Sequence, residues 1–228
     1  QGLGAGIHAN TPGDAYAAMI YGVPAHRIMY SGTNLNSEDF DFLLSYQIAM
    51  NLDSLNQLED LAHRISGVSV GLRLLIDSKH PNRIGIEPGE LPLALALAQK
   101  KGLKLAGLHM YVGTNTLNID RFLQCFEVLR AAALQLPDLE YLNLGGGFGI
   151  DYTDKNLAID LSGLGSVISE GMIQLSKIYS HPIRLILEPG RMLVARSGSL
   201  ILTVVSVKER KSRRYIGVDS TVGNIVVP

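Results

Sequence analysis

Tryptophan is absent from this chain, and cysteine occurs once, at Cys125. A lone cysteine cannot close an intrachain disulfide, which excludes the stapled secreted scaffolds and fits a reducing, cytoplasmic setting. Charge is scarce and balanced. Only 18% of the residues are Asp, Glu, Lys or Arg and the formal net charge is -1, so nothing in the composition suggests a nucleic-acid or membrane partner. No apolar run approaches the roughly 18 residues of a membrane-spanning helix. Internal repeats, low-complexity tracts and evident linkers are missing as well. The chain opens "QGLGAG" without a methionine, and it is expected to be an internal piece with its natural N-terminus elsewhere.

What is present is apolar sequence, 46% of 228 residues, enough to build a sizeable core. It is arranged as short apolar runs alternating with amphipathic stretches. "NTPGDAYAAMIYG" reads as a helix with its punctuation: Thr11 as N-cap, Pro12 in the first turn, Asp14 three residues after the cap and Gly22 past the end. "RIMYSG", "IAMNLD", "VSVGLRLLI", "KLAGLHMYVG", "LEYLNLGGG" and "IRLILEPG" read as strands, and "AGIHA" as a strand stub, which makes seven. Helices are expected around 38–47, within "SLNQLEDLAHRI", and over 91–101, 118–135 and 161–179.

Strands alternating with helices imply parallel pairing through right-handed crossovers. An open doubly wound sheet accepts seven strands. A (β/α)8 barrel of the TIM type needs eight, so on that reading one strand lies upstream of Gln1. The expected fold is α/β: a barrel over residues 1–197 with seven βα units visible, followed at 198–228 by the start of a C-terminal β domain. "SLILTVVSVKERKSRRYIGVDS" supports that boundary, with two β-rich runs separated by a basic turn and no helix between them.

The chemistry-bearing residues fall where a barrel places its active site, at the C-terminal ends of strands. His8, Ser31, Asp53, Arg73, His109 to Thr114, Gly145 to Gly147 and Glu188 to Arg191 all lie at or just past predicted strand ends. In "LNLGGGFGIDY", three glycines end an apolar run. Glycines there let backbone N–H groups approach an anion without side chains in the way. A bare turn and a phosphate cradle are both open for this segment alone. It is not a dinucleotide fingerprint, because Ile150 stands where the third glycine of GxGxxG would be. "LILEPGR" brings a carboxylate, Glu188, and a guanidinium, Arg191, to the adjacent strand end, which favours the cradle.

"GLHMYVGTN", "LNLGGGFGIDY", "LEPGRMLVARSG" and "VDSTVGNIVVP", in this order, resemble the fold-type III pyridoxal-phosphate decarboxylases, the ornithine/diaminopimelate decarboxylase family. "GAGIHANTPGDAYAAMIYGVPAHRIMYSGTN" resembles the segment that follows that family's lysine strand. The resemblance implies an eight-stranded barrel followed by a β domain, pyridoxal phosphate as cofactor, and a small amino-acid substrate. It also implies a homodimer with active sites at the subunit interface. No nucleic acid, membrane or metal is expected.

By position, Gly145, Gly146 and Gly147 would bind the cofactor phosphate, with Thr114 where the family places a serine. Glu188 would pair with the pyridine nitrogen and keep it protonated. Arg191 would hold the phosphate or a substrate carboxylate, and Arg73 would shape the pocket floor, a strand-end ion pair being the alternative. Asp219 would face the substrate's distal group, a turn acid being the alternative. The Schiff-base lysine belongs to the missing first strand. Lys79, Lys100, Lys101, Lys104, Lys155, Lys177, Lys208 and Lys211 read as solvated surface charges.

Three positions depart from the family pattern. Tyr111 stands in place of the histidine that stacks on the pyridoxal ring. His8 stands in place of an aspartate. Val227 precedes Pro228 where diaminopimelate decarboxylases have an arginine, which argues against diaminopimelate as substrate. His109 reads as a satisfied strand histidine, His63 and His181 as ordinary helix or loop residues, and Cys125 as core. The family's catalytic cysteine comes from a partner subunit's β domain, beyond Pro228. Three functions follow. One is decarboxylation of an amino acid or similar substrate through a Schiff base and a quinonoid. The second is a non-catalytic relative that binds a protein partner. The third is a racemase on the same barrel, which Glu188 disfavours because such racemases place an arginine there.

Overall fold

The computed structural model describes residues 3–76, 83–152, 159–221 and 223–224. Lys79, Lys155, Val227 and Pro228 lie outside the described residues, as do Gln1 and Gly2 and part of the "VDSTVGNIVVP" motif. All seven expected strands form: β1 (Ile7–Ala9), β2 (Ile28–Tyr30), β3 (Ala49–Leu52), β4 (Ser69–Arg73), β5 (Lys104–His109), β6 (Tyr141–Asn143) and β7 (Arg184–Ile186). They lie side by side in chain order, every neighbouring pair parallel. The order never reverses, so there is no topological switch point and the doubly wound alternative is set aside. The sheet curls as an incomplete barrel, with β1 and β7 at its two edges.

Six helices follow the first six strands: α1 (Pro12–Ile20), α2 (Ser37–Ser45), α3 (Leu55–Arg64), α4 (Leu91–Lys101), α5 (Ile119–Ala133) and α6 (Leu161–Tyr179). A short α7 (Arg191–Val194) follows β7. Five of these helices, all but α4 and α7, start at a side-chain cap. Thr11 and Asp14 form a reciprocal capping box, as do Asn36 and Asp39, and Ser54, Asn118 and Asp160 each accept a first-turn N–H. One face of α5 buries Phe122, Cys125, Phe126, Leu129 and Ala132, the spacing of a helix against a sheet, which places Cys125 in the core. None of the helices among the described residues is long and apolar enough to cross a membrane.

Side chains alternate between the two faces of each strand. Leu72, Leu108 and Leu142 are fully buried on the helix side. The inner side is polar and stacked in rows. Asn51, Gly71, Gly107, Tyr141 and Arg184 stand in register on five consecutive strands. The Tyr141 ring lies across both glycines, where a Cβ at either position would collide with it. Its hydroxyl reaches Asn51 Oδ1 at 2.6 Å, and Asn51 Nδ2 donates to Ser31 Oγ at 2.8 Å. Burial pushes the Tyr141 phenol well above its usual range, so it stays a donor. The Arg184 guanidinium lies 5.6 Å from the centre of the same ring. Two residues further along, Arg73, His109, Asn143 and Ile186 form the next row, and that row is the floor of the site.

Beyond the barrel, β8 (Val204–Arg210) and β9 (Arg213–Val218) form an antiparallel hairpin, a sheet of its own. The basic turn sits at Lys211 and Ser212, as the charge pattern suggested.

Candidate active site

Glu188, two residues past β7, is the centre of a buried polar cluster. Asn143 at the end of β6 donates its Nδ2 to Glu188 Oε1 at 2.7 Å. The other carboxylate oxygen, Oε2, faces two imidazoles: His109 Nε2 from the end of β5 at 3.3 Å and His8 Nδ1 from β1 at 3.5 Å. The two rings lie nearly parallel, with centroids 6.3 Å apart. His109 Nδ1 and His8 Nε2 are buried and have no partner among the described residues.

The electrostatics follow from that packing. Burial lowers the pKa of His109 against the pull of Glu188, and Arg73 and His8 lower it further. His8 is lowered too, by burial first, while Glu188 and Asp14 oppose and Arg73 assists. Both imidazoles are therefore neutral at neutral pH, and His109 donates its Nε2–H to the carboxylate. For Glu188, burial alone would raise the pKa, but the hydrogen bonds from His109 and Asn143 and the nearby His8 outweigh it, and the net shift is downward. Glu188 is a buried carboxylate held ionised. Arg73, at the end of β4, is the nearby cation. Burial lowers its pKa while Asp53, Glu188 and Tyr111 support its charge, and its guanidinium stacks on the Tyr111 ring at 5.6 Å.

The glycine turn sits directly against this cluster. Gly145 and Gly147 have φ of +64° and +88°, and each of the three glycines faces a backbone carbonyl where a Cβ would fall: Met110 for Gly145, Glu188 for Gly146 and Gly113 for Gly147. The expectation that all three N–H groups face a phosphate needs one correction. Gly145 N–H already donates to Asn143 Oδ1 at 2.9 Å, because Asn143 projects from the row directly below it. Gly146 N–H and Gly147 N–H have no acceptor among the described residues. Two adjacent undonated amides in a left-handed turn form a concavity suited to a phosphate, so the cradle fits the group the sequence implies.

The remaining expected residues are placed less directly. Thr114 Oγ1 is paired with Tyr111 Oη at 2.8 Å. Arg191 opens α7, donates to Tyr152 Oη at 3.1 Å and stacks over that ring. Asp219 accepts the Thr203 N–H at 2.9 Å, closing the base of the hairpin, and no hydrogen bond or ion pair among the described residues joins it to the Glu188 cluster. Sequence reasoning missed Asn143, and it read His109 as satisfied although one ring nitrogen is unpartnered. The available signal was an asparagine and a histidine inside apolar strand runs, each at an inward position of the two-residue period.

The fold is thus a curled parallel sheet of barrel type, with a glycine turn and a buried ionised glutamate at its C-terminal rim. Residues 1–195 match the family model of the pyridoxal-dependent decarboxylases, over their pyridoxal-binding domain, and the chain belongs to that family, whose cofactor is pyridoxal phosphate. Diaminopimelate decarboxylase of Methanothermobacter thermautotrophicus is 28% identical over 99% of this chain and 56% of its own length. A crystal structure of diaminopimelate decarboxylase superposes with a TM-score of 0.88 at 26% identity, covering 97% of this chain and 56% of that one. Diaminopimelate decarboxylase from M. jannaschii in complex with L-lysine gives 0.85 at 25% identity over 100% and 57%. The chain thus spans little more than half the length of the relatives it matches.

Proposed function

We propose that the whole protein is a pyridoxal-phosphate-dependent amino-acid decarboxylase and that these residues form its cofactor half-site. The observation that carries this reading is Glu188, a buried carboxylate kept ionised beside two undonated glycine amides. Gly146 and Gly147 would donate their N–H groups to the cofactor phosphate, with the Thr114 hydroxyl and Arg191 as further donors. Tyr111 would lie against the ring, its face held by Arg73. Glu188 would face the ring nitrogen and keep its proton in place. The bound cofactor supplies an electron sink for the pair released when the bond between Cα and the carboxylate breaks.

In the family a lysine on the first barrel strand binds the cofactor, and that strand would close the barrel between β1 and β7. The proposed assembly is a homodimer with sites at the interface. The proposed substrate is an α-amino acid with a second polar end. Diaminopimelate is the first to test, because the curated relatives are named for it, although Val227 argues against it. The test is to offer full-length protein, supplied with pyridoxal phosphate, a panel of diaminopimelate and basic and acidic α-amino acids and to measure released CO2. Release from one of them supports the reading. Failure to take up the cofactor contradicts it and favours a protein-binding relative.

A further inference from the structure

Glu188 Oε1 accepts a hydrogen bond from Asn143, and two histidines face the other oxygen, Oε2. They are not equivalent. The side chain of His109 is 2% exposed and flanked by Arg73 and His8, so burial first and those neighbours next disfavour a second proton on it. The side chain of His8 is 25% exposed, and although its Nε2 is buried it is the less desolvated of the two imidazoles and so the member of the pair that changes charge more readily. The charged and titratable groups facing His8 are Glu188 beyond β7, Arg73 from β4, His109 from β5 and Asp14 from α1. Glu188 and Asp14 favour a proton on His8, and Arg73 and burial oppose it.

Taking the proposed function as the basis, we propose that His8 is a positioning residue for Glu188, and that its protonation and the seating of a protonated pyridine ring against Glu188 exclude one another. Neutral His8 adds no charge beside Glu188 Oε2, which leaves the carboxylate free to attract a ring N–H. Protonated His8 compensates the same oxygen and adds a second cation where the ring nitrogen must sit. Ring binding then releases the His8 proton, and below the His8 titration the affinity falls by about tenfold per pH unit. An aspartate at this position, as the family pattern has it, would put a second anion beside Glu188. Histidine replaces that anion with a cation that appears only in acid.

The test uses full-length protein and 4-deoxypyridoxine phosphate, which has the ring and the phosphate but lacks the aldehyde that reacts with lysine. Its Kd is measured from pH 5.5 to 8 for wild type and His8→Asn. The ligand's own titrations are common to both, so the difference isolates His8. An extra fall of about tenfold per pH unit in wild type alone is expected. Binding with identical pH profiles overturns this inference and leaves the cofactor site standing. No binding at any pH overturns both. A second readout needs no ligand: with histidine ring carbons labelled for NMR, Glu188→Gln should move the His8 titration to lower pH. An unmoved His8 titration overturns the positioning role even if the variant binds the probe poorly.

Discussion

Asn143 joins the glycine turn to the acid. Its amide nitrogen donates to Glu188 Oε1 at 2.7 Å while its amide oxygen accepts the N–H of Gly145 at 2.9 Å, so one buried side chain fixes the separation between the glycine turn and the carboxylate. Replacing it by leucine leaves a buried N–H and a buried carboxylate oxygen without partners. About 2–4 kcal/mol of stability should be lost, read as a shift in denaturant midpoint at constant slope. Asn143→Asp keeps the acceptor for Gly145 but sets two carboxylates in contact. Its penalty should grow as pH rises through the carboxylate range, the reverse of ordinary acid denaturation. A penalty independent of pH would show that residue 143 does not face Glu188.

The barrel floor depends on one phenol. Tyr141→Phe removes the hydroxyl that meets Asn51 Oδ1 at 2.6 Å and leaves a buried acceptor unpaired, for a loss of roughly 1–3 kcal/mol. A double-mutant cycle with Asn51→Ala should show coupling of about 1 kcal/mol or more, whereas additive effects would mean the two side chains act independently. Gly107→Ala should be worse than either, since its methyl group would fall inside the Tyr141 ring.

Acid should weaken the fold in two stages. His8 and His109 have folded pKa values below their usual value of 6.5, so the unfolded chain binds their protons more tightly; the stability they confer is present above that pH and declines as pH falls through it. Glu188 is depressed below its usual 4.5, so its contribution is present above that pH and is lost only as pH falls through its lower folded value. Denaturant midpoints from pH 8 to pH 3 should show both stages in wild type, and Glu188→Gln should lack the lower one.

The alternation of apolar runs and amphipathic stretches made seven strands, their parallel order and their helices legible, because period and punctuation are local properties. The capping box at Thr11 and Asp14 and the end of α6 at Tyr179 were readable for the same reason. The glycine turn and Glu188 were readable as residue types at strand ends. Their bonding was not. Gly145 donates to Asn143 rather than to a ligand, and His109 is a partner of Glu188 79 residues away, because the register between strands decides which inward side chains share a row. Gly71 and Gly107 gave no hint that the space above them belongs to Tyr141, a residue of another strand. Tyr111 and Thr114 were assigned separate roles, and only their packing shows that each holds the other's hydroxyl.

That pair makes a prediction of its own. Where Thr114 is the donor to Tyr111, its O–H must leave that partner to reach the cofactor phosphate. Tyr111→Phe frees it while keeping the ring that Arg73 stacks on, and should tighten binding of 4-deoxypyridoxine phosphate a few-fold. Thr114→Val should weaken it by roughly tenfold, the value of one hydrogen bond to a charged acceptor. Equal affinities in all three proteins would remove Thr114 from the phosphate site.

The central claim is that Glu188 holds the proton of the cofactor ring and so provides the sink for the electrons of the broken bond. The most direct measurement compares full-length wild type with Glu188→Gln, a change that keeps shape and a hydrogen bond but removes the charge. Cofactor content, KM and kcat are read from CO2 release on whichever amino acid the wild type turns over. The account predicts cofactor retained, KM little changed and kcat lower by on the order of 10²–10³-fold, since the interaction is worth more in the transition state than in the ground state. Wild-type turnover that survives Glu188→Gln at the same rate would contradict it.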